Sequence, residues 1–114
     1  MDERRRERLA VDIRETVGEI LLRDVSDERL HNVSITRVKL SRDASHATLF
    51  FETTGTEEEQ LQSSEAIESA KGYIRSQLAS RIRMRTVPVL SLVKDDSGEK
   101  GDRILGIMRD LDND

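Results

Sequence analysis

The spacing of apolar residues switches along this chain from a helical period to an alternating one and back, and that switch restricts the fold more than any single motif. Leu9, Ile13, Val17, Ile20 and Leu21 recur at steps of four, four, three and one, which predicts an amphipathic helix from Arg4 to about Asp24. From Val33 to Leu40 the pattern is that of a strand. Val33 and Ile35 share one parity and Val38 and Leu40 the other, so a bulge is expected near Thr36 or Arg37. Ser41 to Ser45 supplies turn formers. Ala47, Leu49 and Phe51 then alternate in a second strand that pairs antiparallel with the first.

Thr53, Thr54 and Gly55 end that strand, and Thr56 with Glu59 three residues on forms a capping box, with Glu57 and Glu58 also suited to a helix N-terminus. The helix runs through Leu61, Ile67 and Ala70 and meets Gly72, beyond which Ile74, Leu78 and Ile82 resume an apolar face. Glycine inside a helix costs about 1 kcal/mol against alanine, so a kink is expected at Ala70, Lys71 and Gly72. Gly18 poses the same question in the first helix, where close approach of another element is one reason for it. Thr86 to Val93, with Pro88 near its start, reads as a third strand at a sheet edge. Asp95 to Gly101 reads as a loop, and Ile104, Ile107, Met108 and Leu111 as a short helix capped by Asp102. The expected architecture is α+β: one three-stranded sheet with the helices on one face.

At 114 residues the chain has the size of one domain, taken as 1–114, and with two Phe, one Tyr and no Trp its core must be aliphatic. The absence of cysteine excludes disulfides and thiolate metal sites and suits a reducing cytoplasm. No apolar stretch is long enough for a membrane span or signal peptide. No long hydrophobic seam calls for a dimer, so a monomer is expected.

The net charge of −4 hides an asymmetry. Between Ser69 and Lys94 lie six basic residues (Lys71, Arg75, Arg81, Arg83, Arg85, Lys94) and no acidic one, while the rest of the chain sets 13 basic against 23 acidic residues. A basic stretch in an acidic protein is suited to phosphate contact while the remainder repels non-specific partners. The plainer alternative is a solvated face with chance clustering. The run Arg4, Arg5, Arg6 and Arg8 puts positive charge at a helix start, where the dipole disfavours it, so an anion nearby or a frayed end is expected.

The element order, with a helix break where an RNA-contacting loop would lie, resembles a type II KH domain, in which a GXXG loop clamps the nucleic-acid backbone. Here Ser69, Ala70, Lys71, Gly72, Tyr73, Ile74 and Arg75 carry Ala-X-Gly in place of GXXG. That substitution resembles the ribosome-binding factor A family, bacterial assembly factors of the small ribosomal subunit. Residues 13–30 (IRETVGEILLRDVSDERL) are similar to the family's first helix and following loop, 38–47 (VKLSRDASHA) to its first hairpin, and 73–88, with Asp95, Asp96, Ser97, Gly101 and Arg103, to its third helix and C-terminal loop. The overall acidity departs from what such an rRNA binder leads one to expect. The resemblance implies a KH-like fold and a factor that binds free or immature 30S subunits. It also implies assistance to 16S rRNA maturation, including its 5′ end, and support of growth in the cold. It implies no cofactor, metal or small-molecule substrate.

The candidate RNA contacts are Lys71, Gly72, Arg75, Arg81, Arg83 and Arg85, because Arg and Lys neutralise phosphates and release counterions. If Arg81, Arg83 and Arg85 lie in an extended segment they share one face. Gly72 and Ala70 are small either for close approach of RNA or for packing. Arg37, Lys39 and Arg42, with His46 adjacent, form a second basic group on the hairpin, on a strand face that helices need not cover. Asp43 reads as a turn former. Asp95 and Asp96 are adjacent carboxylates, but His31 and His46 stand apart from them and no HExxH, P-loop or GxSxG occurs, so no catalysis is expected. The alternative is a protein-binding α+β adaptor without an RNA role, which would need an exposed apolar patch around Tyr73 or Met84.

Overall fold

The computed structural model describes residues 1–24 and 26–95. Helix α1 (Glu3–Glu19) begins where the Asp2 carboxylate accepts from the N–H groups of Arg4 (2.7 Å) and Arg5 (3.3 Å). The anion that the arginine run requires is therefore the chain's own second residue. The α-helix ends sooner than the periodicity predicts: Ile20–Asp24 winds as a π-helical turn. The wider turn lets consecutive Ile20 and Leu21 both enter the core, at 0% and 3% exposure. A 3-10 turn, Glu28–Asn32, follows where the sequence suggests only loop; Asp27 caps it and Leu30 is its buried residue. Buried Ser63 holds the turn in place by donating to the Arg29 carbonyl (2.8 Å).

The sheet comprises β1 (Val33–Leu40), β2 (His46–Thr53) and β3 (Val89–Lys94), in the order β1-β2-β3. β1 and β2 run antiparallel, with the register shifting between Ile35 and Arg37, so the bulge falls at Thr36 as the parity change predicts. β3 lies parallel to β2, because two helices, α2 (Glu57–Ser69) and α3 (Lys71–Arg81), carry the chain back across the sheet. The third strand starts at Val89, after buried Pro88, rather than at Thr86. The Thr56–Glu59 capping box opens α2 as expected, with bonds of 3.1 and 3.0 Å. The predicted loop from Asp96 to Gly101 and the predicted helix over 104–111 lie outside the described residues.

One face of the sheet (Val33, Leu40, Ala47, Leu49, Phe51, Leu90) packs against Ile13, Val17 and Ile20 of the first helical segment and Ala66, Ile67, Ile74 and Leu78 of the other two helices. Phe50 points from the opposite face yet is 1% exposed, with the Arg37 guanidinium 4.0 Å from its ring centroid. The far end of β3 is tied across the sheet: the Asp95 N–H donates to the Phe51 carbonyl (2.6 Å), and the Thr36 hydroxyl at the bulge donates to the Asp95 carboxylate (2.8 Å).

The hairpin turn is built around Asp43. Its carboxylate accepts from the hydroxyls of Ser41 (2.9 Å) and Ser45 (2.7 Å) and from the Ser45 N–H (3.1 Å), while Ala44 takes a left-handed conformation (φ 59°). These bonds, those of Ser45 foremost, hold the carboxyl at about 2, below its ordinary 3.8. A depressed carboxyl stabilises the fold fully above its unfolded value and loses that contribution as pH falls through the folded value. The Ser45 amide resonance is therefore expected to titrate with a midpoint near 2; a midpoint at 3.8 would show that the bonds do not persist.

Candidate nucleic-acid interface

The break between α2 and α3 falls within the expected Ala70, Lys71, Gly72 stretch, at Ala70. Ala70 (φ −83°, ψ −3°) serves as the last cap of one helix and the first of the next, and its N–H and C=O still bond to Ala66 and Ile74. The ψ near zero redirects the axis, and the buried residues of both helices still belong to one core. Gly72 lies within the first turn of α3, and a Cβ there would meet nothing within 4 Å. Close packing of the protein therefore does not explain Gly72, nor Gly18, where the same space is open. Gly72→Ala is expected to raise stability by about 0.5–1 kcal/mol through helix propensity alone. If a ligand backbone approaches this surface, the same variant should bind its partner more weakly while melting later; equal binding would assign the position no role in contact.

The sequence stretch Lys71 to Arg85 does not form one basic surface. Lys71 donates to Glu68 at 2.7 Å, an exposed i, i+3 pair. About 15 Å of helix separates it from Arg81 at the other end of α3. Between them Arg75 reaches the loop before β3, its Nε and Nη2 donating to the carbonyls of Pro88 (3.0 Å) and Val87 (2.9 Å). Arg75 thus holds the entry to β3, a role that sequence reasoning misses because the loop is close in space and not in sequence.

Of Arg81, Arg83 and Arg85, the first ends α3 and the other two follow in the segment beyond it. The chain turns extended at Ile82 (φ −116°, ψ 130°), Ile82 and Met84 pack against the core, and the three arginines are exposed. Arg81 also donates to the Gln77 side chain at 3.1 Å. Because the Val89 N–H donates to the Ser45 carbonyl (2.9 Å), the segment entering β3 lies beside the β1–β2 turn. The topology therefore brings Arg42, exposed in that turn, and His46, exposed at the first residue of β2, to the sheet end where Arg83 and Arg85 enter. Lys39, exposed opposite Thr48, lies one residue pair in from Leu40 and Ala47 on the face away from the helices, and Arg37 two further pairs along. Arg42 and the segment that carries Arg83 and Arg85 therefore lie toward the same end of the sheet, whereas Arg37 and Lys39 are further along β1 and Lys71 and Gly72 are at the other end of α3.

Of the adjacent carboxylates, Asp95 accepts from the Thr36 hydroxyl, and Asp96 lies outside the described residues. No group of three potential metal ligands occurs among the described residues, and none of the described helices is long and apolar enough to cross a membrane. Tyr73 is 42% exposed, while Met84 packs against the core, so the two do not combine into an apolar patch.

A family model described as ribosome-binding factor A matches residues 5–108. The chain is 47% identical over 108 residues to ribosome-binding factor A of Dictyoglomus thermophilum, covering 94% of this chain and 90% of that protein. To that of Carboxydothermus hydrogenoformans it is 46% identical over 105 residues, covering 92% and 84%. The fold is similar to the crystal structure of ribosome-binding factor A from Thermus thermophilus (TM-score 0.67, 27% identity, 78% of this chain and 93% of that one). It is also similar to the solution structure of a putative ribosome-binding factor A from Thermotoga maritima (TM-score 0.70, 29% identity, 87% and 94%). A further similar structure, at TM-score 0.64 and 26% identity over 81% of this chain and 97% of that one, is a Thermus thermophilus homology model fitted into the map of a complex with the 30S subunit. The mixed three-stranded sheet with its helices is thus KH-like, and the chain belongs to the ribosome-binding factor A family.

Proposed function

We propose that this protein binds the small ribosomal subunit as a single KH-like unit spanning 1–114, and that it does so by holding rRNA phosphates at the sheet end where Arg81, Arg83, Arg85 and Arg42 gather. The observation that carries this reading is the alternation at the end of α3, where Ile82 and Met84 anchor an extended segment and leave the arginines exposed. Phosphate contact needs cations held in place by a scaffold, and backbone contact fixes orientation without reading bases. The lack of GXXG and the pairing of Lys71 with Glu68 weigh against clamping of a single strand at the helix break, and favour recognition of folded rRNA.

On this reading the protein acts in the cytoplasm as a monomer. It joins free or immature 30S subunits, assists maturation of 16S rRNA including its 5′ end, and supports growth in the cold, with no cofactor and no chemistry of its own. Sedimentation through a density gradient tests the core of it. The protein should travel with free small subunits and be absent from complete ribosomes; presence in neither fraction would favour a protein-binding adaptor instead.

A further inference from the structure

The face of the sheet turned away from the helices carries one side chain that the fold uses only in part. The Arg37 guanidinium sits over the Phe50 ring, 4.0 Å from its centroid, and among the described residues nothing makes a hydrogen bond or ion pair with it. Arg37 is exposed, while Phe50 is buried yet stands outside the aliphatic cluster under the helices. Covering a ring takes one plane of a guanidinium; the other plane and the N–H donors stay open. The strand register fixes the surroundings. Arg37, Phe50 and Val93 form one row across the sheet, and Lys39, Thr48 and Ser91 the next toward the hairpin turn, about 7 Å away. Lys39 and Ser91 are exposed, and His46 and exposed Val89 follow one row further. The acidic groups of this face, Glu52 and Asp95, lie on the other side of Arg37, where the Asp95 carboxylate accepts from Thr36.

We infer that Arg37, seated on Phe50, stacks one unpaired RNA base on its outer plane, while Lys39 takes the phosphate alongside. The inference rests on the reading of this chain as an rRNA binder and adds a contact that the arginine row does not supply. Bases splayed from RNA loops and bulges stack on guanidinium planes as they do on aromatic rings. A guanidinium already held over a ring gives up little freedom when its second plane is covered. A protein carboxylate would also suit the open donors, but it meets the edge of the fork and leaves the outer plane in water. Charge sets the direction of the strand: Lys39 and, in the turn, Arg42 attract phosphates, and Glu52 repels them from the other end, so the RNA runs from Arg37 toward the hairpin. Every base has a π-face, so the seat selects an unpaired base without selecting its identity.

The test titrates the full chain into a short oligoadenylate that carries one fluorescent adenine analogue, whose emission falls when it stacks. Emission should fall saturably, and the Arg37 side-chain resonances of the unaltered protein should move with the same midpoint. Arg37→Lys, which keeps the charge and removes the plane, should abolish the quenching and weaken binding by about fivefold or more. Lys39→Ala should weaken binding and leave the quenching at saturation unchanged, since it removes a phosphate contact alone. The Arg81, Arg83 and Arg85 triple alanine variant should keep the quenching. Emission that does not fall, Arg37 resonances that stay in place, full quenching by Arg37→Lys, or displacement of the oligonucleotide by oligoglutamate at equal concentration would each overturn the inference. Co-sedimentation with free small subunits is read separately: its loss would remove the proposed function and not this seat, which the quenching decides.

Discussion

Replacing Arg81, Arg83 and Arg85 together by Ala is expected to weaken binding to free small subunits by about a hundredfold and to flatten its salt dependence. Each phosphate left without its cation lowers the slope of log affinity against log salt by about 0.7–0.9, so three should lower it by about 2–3. The fold should survive, because all three side chains are exposed while Ile82 and Met84, which anchor the segment, are unchanged. Arg81 also sits at the C-terminal end of α3, where a cation is worth about 0.3–1 kcal/mol, so a small loss of stability belongs to it alone. Adding Arg42→Ala should deepen the loss, since the turn lies beside the same segment. Lys71→Ala, at the far end of α3 and paired with Glu68, should change little. Titration of labelled protein with 30S subunits at several salt concentrations decides this; an unchanged slope in the triple variant would remove the row from the interface.

Legibility from sequence follows the range of the interaction that decides each feature. The capping box at Thr56, the bulge at Thr36 and the outward alternation of Arg81, Arg83 and Arg85 are set by neighbours within a few residues, and periodicity alone locates them. The helix break expected at Ala70, Lys71 and Gly72 is there, with the backbone turning at Ala70 and the next helix opening at Lys71. The π-helical turn after Glu19 is invisible in the sequence because a step of one between Ile20 and Leu21 suits an α-helix flank as well as a widened turn. Features that rest on residues far apart in sequence are out of its reach altogether: Arg75 on Val87 and Pro88, Ser63 on Arg29, and Asp95 on Thr36. The basic stretch that is contiguous in sequence is spread out in space, for a helix and a strand separate its members, while the register of β2 and β3 sets the turn that carries Arg42, some forty residues away in sequence, beside the entry to β3.

The arginine row can act only if α3 is held down, and Leu78 holds its C-terminal turn as Ile74 holds its first turns. Leu78 is 0% exposed in the last turn of α3, its carbonyl accepts from the Ile82 N–H at 3.0 Å, and it belongs to the same aliphatic cluster as Ile13, Val17 and Ile74. Leu78→Ala is expected to cost about 2–5 kcal/mol, as lost burial plus a cavity that a thin sheet-and-helix core cannot close. Against a total stability of about 5–15 kcal/mol that is a large fraction, and the start of the extended segment loses its anchor with it. Leu61→Ala, on an α2 side chain 61% exposed, should change stability by no more than about 0.5 kcal/mol. Urea unfolding of the two variants beside the parent measures the contrast. A cost under about 1 kcal/mol for Leu78→Ala would show that α3 is held by its connections and not by its apolar face.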